Sequence, residues 1–178
     1  MIRTLLHSGT RSFGKKYDYD VSYMHEVIDA STKAGLALSF LPMVTQYKGP
    51  EEARAVWAGA LLASTLDGDC GPCGQLVVSF ALEEGVDGDQ LLAAIEGRFD
   101  EAGDVGLGFQ FAQHAISGSY EPNTFGDRIR KHFGDQAVIA ASFAAGSGRF
   151  YPVFKRGLGD GHVCQQLIVN GRVGKVAV

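Results

Sequence analysis

An all-α fold is predicted by three features of the sequence. Residues Ala53 to Leu66 are apolar nearly all the way round a helix, with Val56, Trp57, Leu61 and Leu62 on every side of it. A helix without a polar face is buried on all sides, so this one is expected at the centre. A second apolar run at helical spacing, Gln75 to Leu82, opens on Cys70-Gly71-Pro72-Cys73 and stops at Gly85. The strongest β signal, Leu167 to Val173, is a β-branched run broken by Asn170-Gly171 near the C-terminal end. A small hairpin or an extended tail is expected there, and docking on a neighbouring subunit is one use for it.

The remaining elements are read in chain order. Residues 1–16 carry Arg3, Arg11, Lys15 and Lys16 with no acid and are expected to form a flexible basic arm. Asp20 is a candidate cap for an amphipathic helix carrying Val21, Tyr23, Met24, Val27 and Ile28. His25 on that helix is read as structural or superficial. A short helix from Ser31 ends before Pro42. Gly49-Pro50-Glu51-Glu52 starts the central helix, with proline early and acids in the first turn. Beyond Gly85, Leu91, Leu92 and Ile95 give a short amphipathic helix ending at Gly97. Further helices are expected over Asp104–Ser117, over Phe125–Phe133 capped by Asn123, and over Gln136–Gly146, with a last helical turn at Tyr151–Arg156. The division expected is an arm at 1–16, one helical domain at 17–160 and a tail or hairpin at 161–178, with no fixed-period repeat.

Composition narrows the function. The 178-residue chain is 46% hydrophobic and 20% charged, with net charge −4 and pI near 5.7. That balance offers no basic field for a phosphate backbone, so nucleic acid is not an expected partner. No apolar run is long enough to span a bilayer, so no membrane partner is expected. Three cysteines, two of them in one ring-forming pair, do not make a secreted disulfide framework, and a reducing, cytoplasmic home is expected.

The chemistry resides in Cys70 and Cys73. Two thiols three residues apart can close a disulfide ring and reopen it. Unpaired amides at a helix start favour a thiolate over a thiol. Asp69, the expected N-cap, and Asp67 oppose this, because a carboxylate beside a thiolate raises its pKa. Dipole grounds favour Cys70 as the attacking thiol and Cys73 as the resolving one, with the reverse assignment left open.

Cys-Gly-Pro-Cys is also the thioredoxin tetrapeptide, but thioredoxin places it after a buried parallel strand, and Leu66-Asp67-Gly68-Asp69 here ends a long helix. The sequence of buried helix, short Asp/Gly turn and CxxC-opened helix resembles instead the AhpD-like alkylhydroperoxidase and carboxymuconolactone decarboxylase superfamily. The later Phe109-x-Phe111-Ala112 run and the Asp127–Ala145 helices follow in the same order. The resemblance covers residues 20 to 160 and implies an AhpD-like helical bundle assembled as trimers or hexamers. It also implies peroxide reduction by the cysteine pair, with no metal or bound organic cofactor. Where the family's peroxidase branch carries a glutamate and two histidines as a proton relay, this chain has Ala58, Pro72 and Val77.

The expected activity is therefore that of a thiol-disulfide oxidoreductase using the Cys70/Cys73 pair, with a dithiol/disulfide partner protein or, through weak peroxide reduction, a small-molecule peroxide as its partner. His25, His114, His132 and Gln75 are the distant groups that could stand in for the relay. Two other readings use the same residues: a zinc module built from Cys70, Cys73, His162 and Cys164, and a non-catalytic assembly or interaction protein of the same fold.

Overall fold

The computed structural model describes residues 1–118, 124–160 and 166–177. They are mostly helical, with one small hairpin. The helices are α1 (Ile2–Tyr17), α2 (Ser22–Ala30), α3 (Thr32–Phe40), α4 (Pro42–Thr45), α5 (Arg54–Asp67), α6 (Gly71–Glu83), α7 (Gly88–Ile95), α8 (Gly103–Ile116), α9 (Thr124–Phe133), α10 (Asp135–Ser147) and α11 (Phe150–Leu158). Strands β1 (Gln166–Val169) and β2 (Arg172–Lys175) pair antiparallel, Val169 opposite Arg172.

The helix without a polar face is the centre of the molecule. Val56 through Thr65 of α5 are all buried, and α5 packs most extensively on α8, then on α10 and α6. The polar side chains of its buried stretch are all bonded. Trp57 Nε1 donates to the Thr45 carbonyl (3.2 Å) and Ser64 Oγ to the Ala145 carbonyl (2.6 Å), while Thr65 Oγ1 donates to Leu61 one turn back (2.8 Å). A buried hydroxyl left unpaired costs about 1–3 kcal/mol, so the Ser64 bond helps fix how α10 crosses α5.

The segment expected to be a basic arm is helix α1. Arg3, Arg11, Lys15 and Lys16 lie on its outer side, while the Phe13 ring meets Tyr17, Tyr19 and Phe80 at centroid distances of 5.1, 6.0 and 6.5 Å. Asp18, in the left-handed conformation, closes α1, and the Tyr19 amide returns to the Gly14 carbonyl (3.0 Å). At the far end of α6, Lys16 Nζ and Tyr17 Oη both donate to Glu83 (3.1 and 2.9 Å). His25 is structural, as expected: its Nδ1 lies 2.7 Å from Nδ1 of His7, tying α2 to α1.

Asn170 and Gly171 both adopt positive φ (49° and 77°), the geometry of a two-residue hairpin turn. The hairpin docks on its own chain: Leu167 and Val169 are buried, and β1 lies against α6 and α7. Gln75 clasps the backbone of Ile168 in both directions, Nε2 donating to its carbonyl (2.9 Å) and Oε1 accepting from its amide (2.8 Å). Asn123, the expected cap of α9, lies outside the described residues.

Candidate active site: a dithiol at the mouth of helix α6

The turn before the cysteines differs from the sequence expectation. Asp69 does not cap α6; it sits in the left-handed region (φ 56°), and Cys70, in extended conformation, is the N-cap. Gly71 and Pro72 follow as the first helical residues, where proline's fixed φ suits the helix and its missing N–H is not needed. Cys73 is then the third residue of the helix. Gly68 makes this turn feasible: a methyl group there would come within 2.6 Å of the Pro152 side chain, so the loop lies directly on α11.

Cys70 and Cys73 are both buried thiols, each 5% exposed. Cys73 lines a cavity of about 310 Å³ enclosed by α1, α2, α4, α5, α6 and the start of α11. Most of its wall is apolar or aromatic, including Phe13, Met24, Leu61, Val77 and Phe80. Tyr17, Gln46 and Lys48, only partly buried, and exposed Glu83 join the lining and place its opening at the surface.

Tyr19 Oη is 3.6 Å from Cys73 Sγ, a hydrogen-bonding separation for sulfur. Tyr23 and Tyr151 also line the cavity. Behind the tyrosines stands Lys155, 4% exposed, with Nζ 5.2 Å from the Tyr19 ring centroid and 5.1 Å from that of Tyr23. Among the described residues Lys155 has no ion-pair partner, so the two aromatic faces supply its cation contacts. The Tyr23 hydroxyl is buried beside that of Tyr19, its neighbour in the proton network of the site.

Burial and proximity act on every proton here. Contact with Cys70, then burial, raises the Cys73 thiol well above its ordinary value, while the Tyr19 hydroxyl and the Lys155 charge pull it down. Tyr19 and Tyr23 are raised chiefly by burial. Tyr151 is pushed up to about 12, by burial first and by Cys73 second. At neutral pH the phenols are proton donors, and Cys73 keeps its proton until a base takes it.

The distant groups considered as relay substitutes do not line the cavity: His25 binds His7, Gln75 binds the hairpin, and His114 and His132 sit on α8 and α9. Ala58 and Val77 are buried among apolar residues, and Pro72 is exposed at the helix start. Tyr19, Tyr23, Tyr151 and Lys155 are the polar groups the sequence reading passed over. Four of the six tyrosines, at 17, 19, 23 and 151, meet in this one cavity, a convergence that no local pattern in the sequence announces. Among the described residues no three His, Cys, Asp or Glu side chains form a group that could hold a metal ion. His162 and Cys164 lie outside the described residues. No described helix is long and apolar enough to cross a membrane.

Comparison with protein-family models, with curated proteins and with solved structures found no match.

Proposed function

We propose that the chain is a two-cysteine thiol-disulfide oxidoreductase of AhpD-like type that reduces peroxides by cycling Cys70 and Cys73 between dithiol and disulfide. The observation that carries the reading is the position of Cys73, in the first turn of α6 and at the wall of an aromatic cavity, with Cys70 one turn earlier at the helix cap. The order of a buried α5, an Asp-Gly-Asp turn and a CxxC opening α6 supports the AhpD-like assignment. Assembly into a homo-oligomer belongs to the same reading and is supported by Phe40, Met43, Ile139 and Phe143, all exposed. So does a reducing compartment, which the chemistry needs for its reset.

Access reverses the roles that the helix dipole suggested. Cys73 is the sulfur lining the cavity, so we assign it the attack on substrate and Cys70 the resolving step. First-turn amides stabilise negative charge at the helix mouth, and a thiolate at Cys70 takes the Cys73 proton. The Cys73 thiolate attacks the terminal oxygen of ROOH, forming S–O as O–O breaks and RO⁻ leaves to become ROH. Cys70 then attacks the sulfenic sulfur. Its S–H proton departs with the hydroxide as water, and the disulfide closes. One peroxide has accepted two electrons from two thiols, and an external dithiol restores them.

The test is a redox titration of wild type beside Cys70→Ser and Cys73→Ser, followed by turnover of tert-butyl hydroperoxide with dithiothreitol. The expected result is a reversible two-electron couple in wild type alone, with Cys70→Ser forming a trapped sulfenic acid and Cys73→Ser forming none. A wild-type pair that no oxidant joins, or turnover that survives in Cys73→Ser, defeats the proposal.

A further inference from the structure

We infer that Tyr19 is the general acid of this site, donating its hydroxyl proton to the alkoxide that leaves as Cys73 attacks, and that Lys155 is the positioning residue that holds Tyr19 and Tyr23 at the sulfur. This rests on the peroxide reading above and names the groups that perform its proton transfer.

The contacts of Tyr19 and of Lys155 carry the assignment, with Tyr23 beside them. Tyr19 Oη is the polar atom 3.6 Å from Cys73 Sγ, and attack at the terminal oxygen of a peroxide bound in the cavity puts the leaving oxygen about one O–O bond from the new S–O bond. Tyr23 contributes a second buried hydroxyl on the same wall, beside that of Tyr19. Lys155 is a buried cation whose two rings are those same tyrosines. Its charge faces the developing anion from behind, where ammonium and phenol dipoles act in a low dielectric.

The proton balance closes on the residues present. Tyr19 O–H passes its proton to RO⁻, giving ROH and a phenolate stabilised by the Lys155 ammonium. Water entering the vacated cavity returns a proton to the phenolate, matching the one lost when the dithiol first ionised. The titratable groups around Cys73 are Cys70 on its own helix, Tyr19 and Tyr23 from α2 and the turn before it, and Tyr151 and Lys155 on α11; α5 presents only Leu61 and Thr65. Lys16, Lys48 and Glu83 lie at the rim.

General acid help of this kind is worth about 10²–10⁴ in rate, and only for leaving groups that need a proton. The experiment therefore compares single-turnover oxidation by tert-butyl hydroperoxide, whose alkoxide leaves as a strong base, with oxidation by peracetic acid, whose acetate leaves unaided. Tyr19→Phe is expected to slow the first about 10²-fold and the second less than about 3-fold. Lys155→Met should move the pH profile of the alkyl hydroperoxide reaction toward higher pH, with Lys155→Arg restoring it. Equal slowing of both oxidants, or of neither, overturns the role of Tyr19. An unmoved profile in Lys155→Met overturns that of Lys155. Should Tyr19→Phe fold poorly, wild type decides alone: across hydroperoxides of increasingly basic leaving alcohols its rate should fall only shallowly, and a steep fall overturns the assignment. Wild type inert to both oxidants defeats the peroxide reading itself.

Discussion

Gly59 of α5 and Gly108 of α8 are each seated against the other helix's backbone. A methyl group on Gly59 would overlap the Val105 carbonyl, and one on Gly108 would overlap the Val56 carbonyl. The two helices meet at bare backbone on both sides, which is how α5 comes to be surrounded without a polar face. Nothing flexible at either point can move aside.

Gly59→Ala and Gly108→Ala should therefore each destabilise the fold by about 3 kcal/mol, at the upper end of overpacking costs. Urea unfolding followed by far-UV circular dichroism measures this. A loss under about 0.5 kcal/mol for either variant would show that the helices do not meet so closely.

Asp69 holds a left-handed backbone beside the cysteine pair, where a side chain beyond Cα is disfavoured by about 1–2 kcal/mol. Asp69→Gly should equal or exceed wild type in stability, while Asp69→Ala should lose about 1 kcal/mol relative to the glycine variant. Asp69→Asn retains the conformational tolerance and removes the charge. It should accelerate reaction of the dithiol with a maleimide at fixed pH.

Stability should fall in alkali, because an acid held protonated by the fold favours the unfolded state once pH passes its unfolded value. Cys73, ordinarily near 9.0, is raised, so its contribution is complete below pH 9 and declines above it. Tyr151, shifted from 10.0 to about 12, adds a second loss between those values, of about 2 kcal/mol by pH 12. Urea unfolding under reducing conditions from pH 7 to 12 should show the decline, and Tyr151→Phe should lessen its upper portion.

Gln75→Ala removes both hydrogen bonds to Ile168 and should cost about 2 kcal/mol. Amide hydrogen exchange in β1 and β2 should accelerate before that of α5 does. Unchanged protection would mean that Leu167 and Val169 hold the hairpin unaided.

The central helix, the CxxC at a helix mouth and the Asn-Gly hairpin were legible in the sequence because each depends on local signals: all-round apolarity, a turn dipeptide and periodicity. The first sixteen residues were not. Their apolar positions are sparse, and what makes α1 a helix is the landing of Phe13 and Tyr17 on Phe80, 63 or more residues away in the chain. Aspartate at a helix start is the commoner cap, but here Asp69 takes the left-handed conformation and Cys70, extended, stands at the cap. The tyrosines of the cavity carry no such local signal, since spacing alone does not reveal which buried phenol points at a sulfur. Lys155 could not be read at all, as its burial depends on two rings that lie more than 130 residues earlier in the chain.

The clasp of Gln75 on Ile168 spans 93 residues. A ribosome adding about 5–20 residues per second needs roughly 5 to 19 s to deliver the second half of it. Through that interval α6 lacks the strand that packs on it, and the groove that receives Leu167 and Val169 stands open. Translation speed thus sets how long the emerging helices carry an apolar groove that the chain's own last strand has yet to fill.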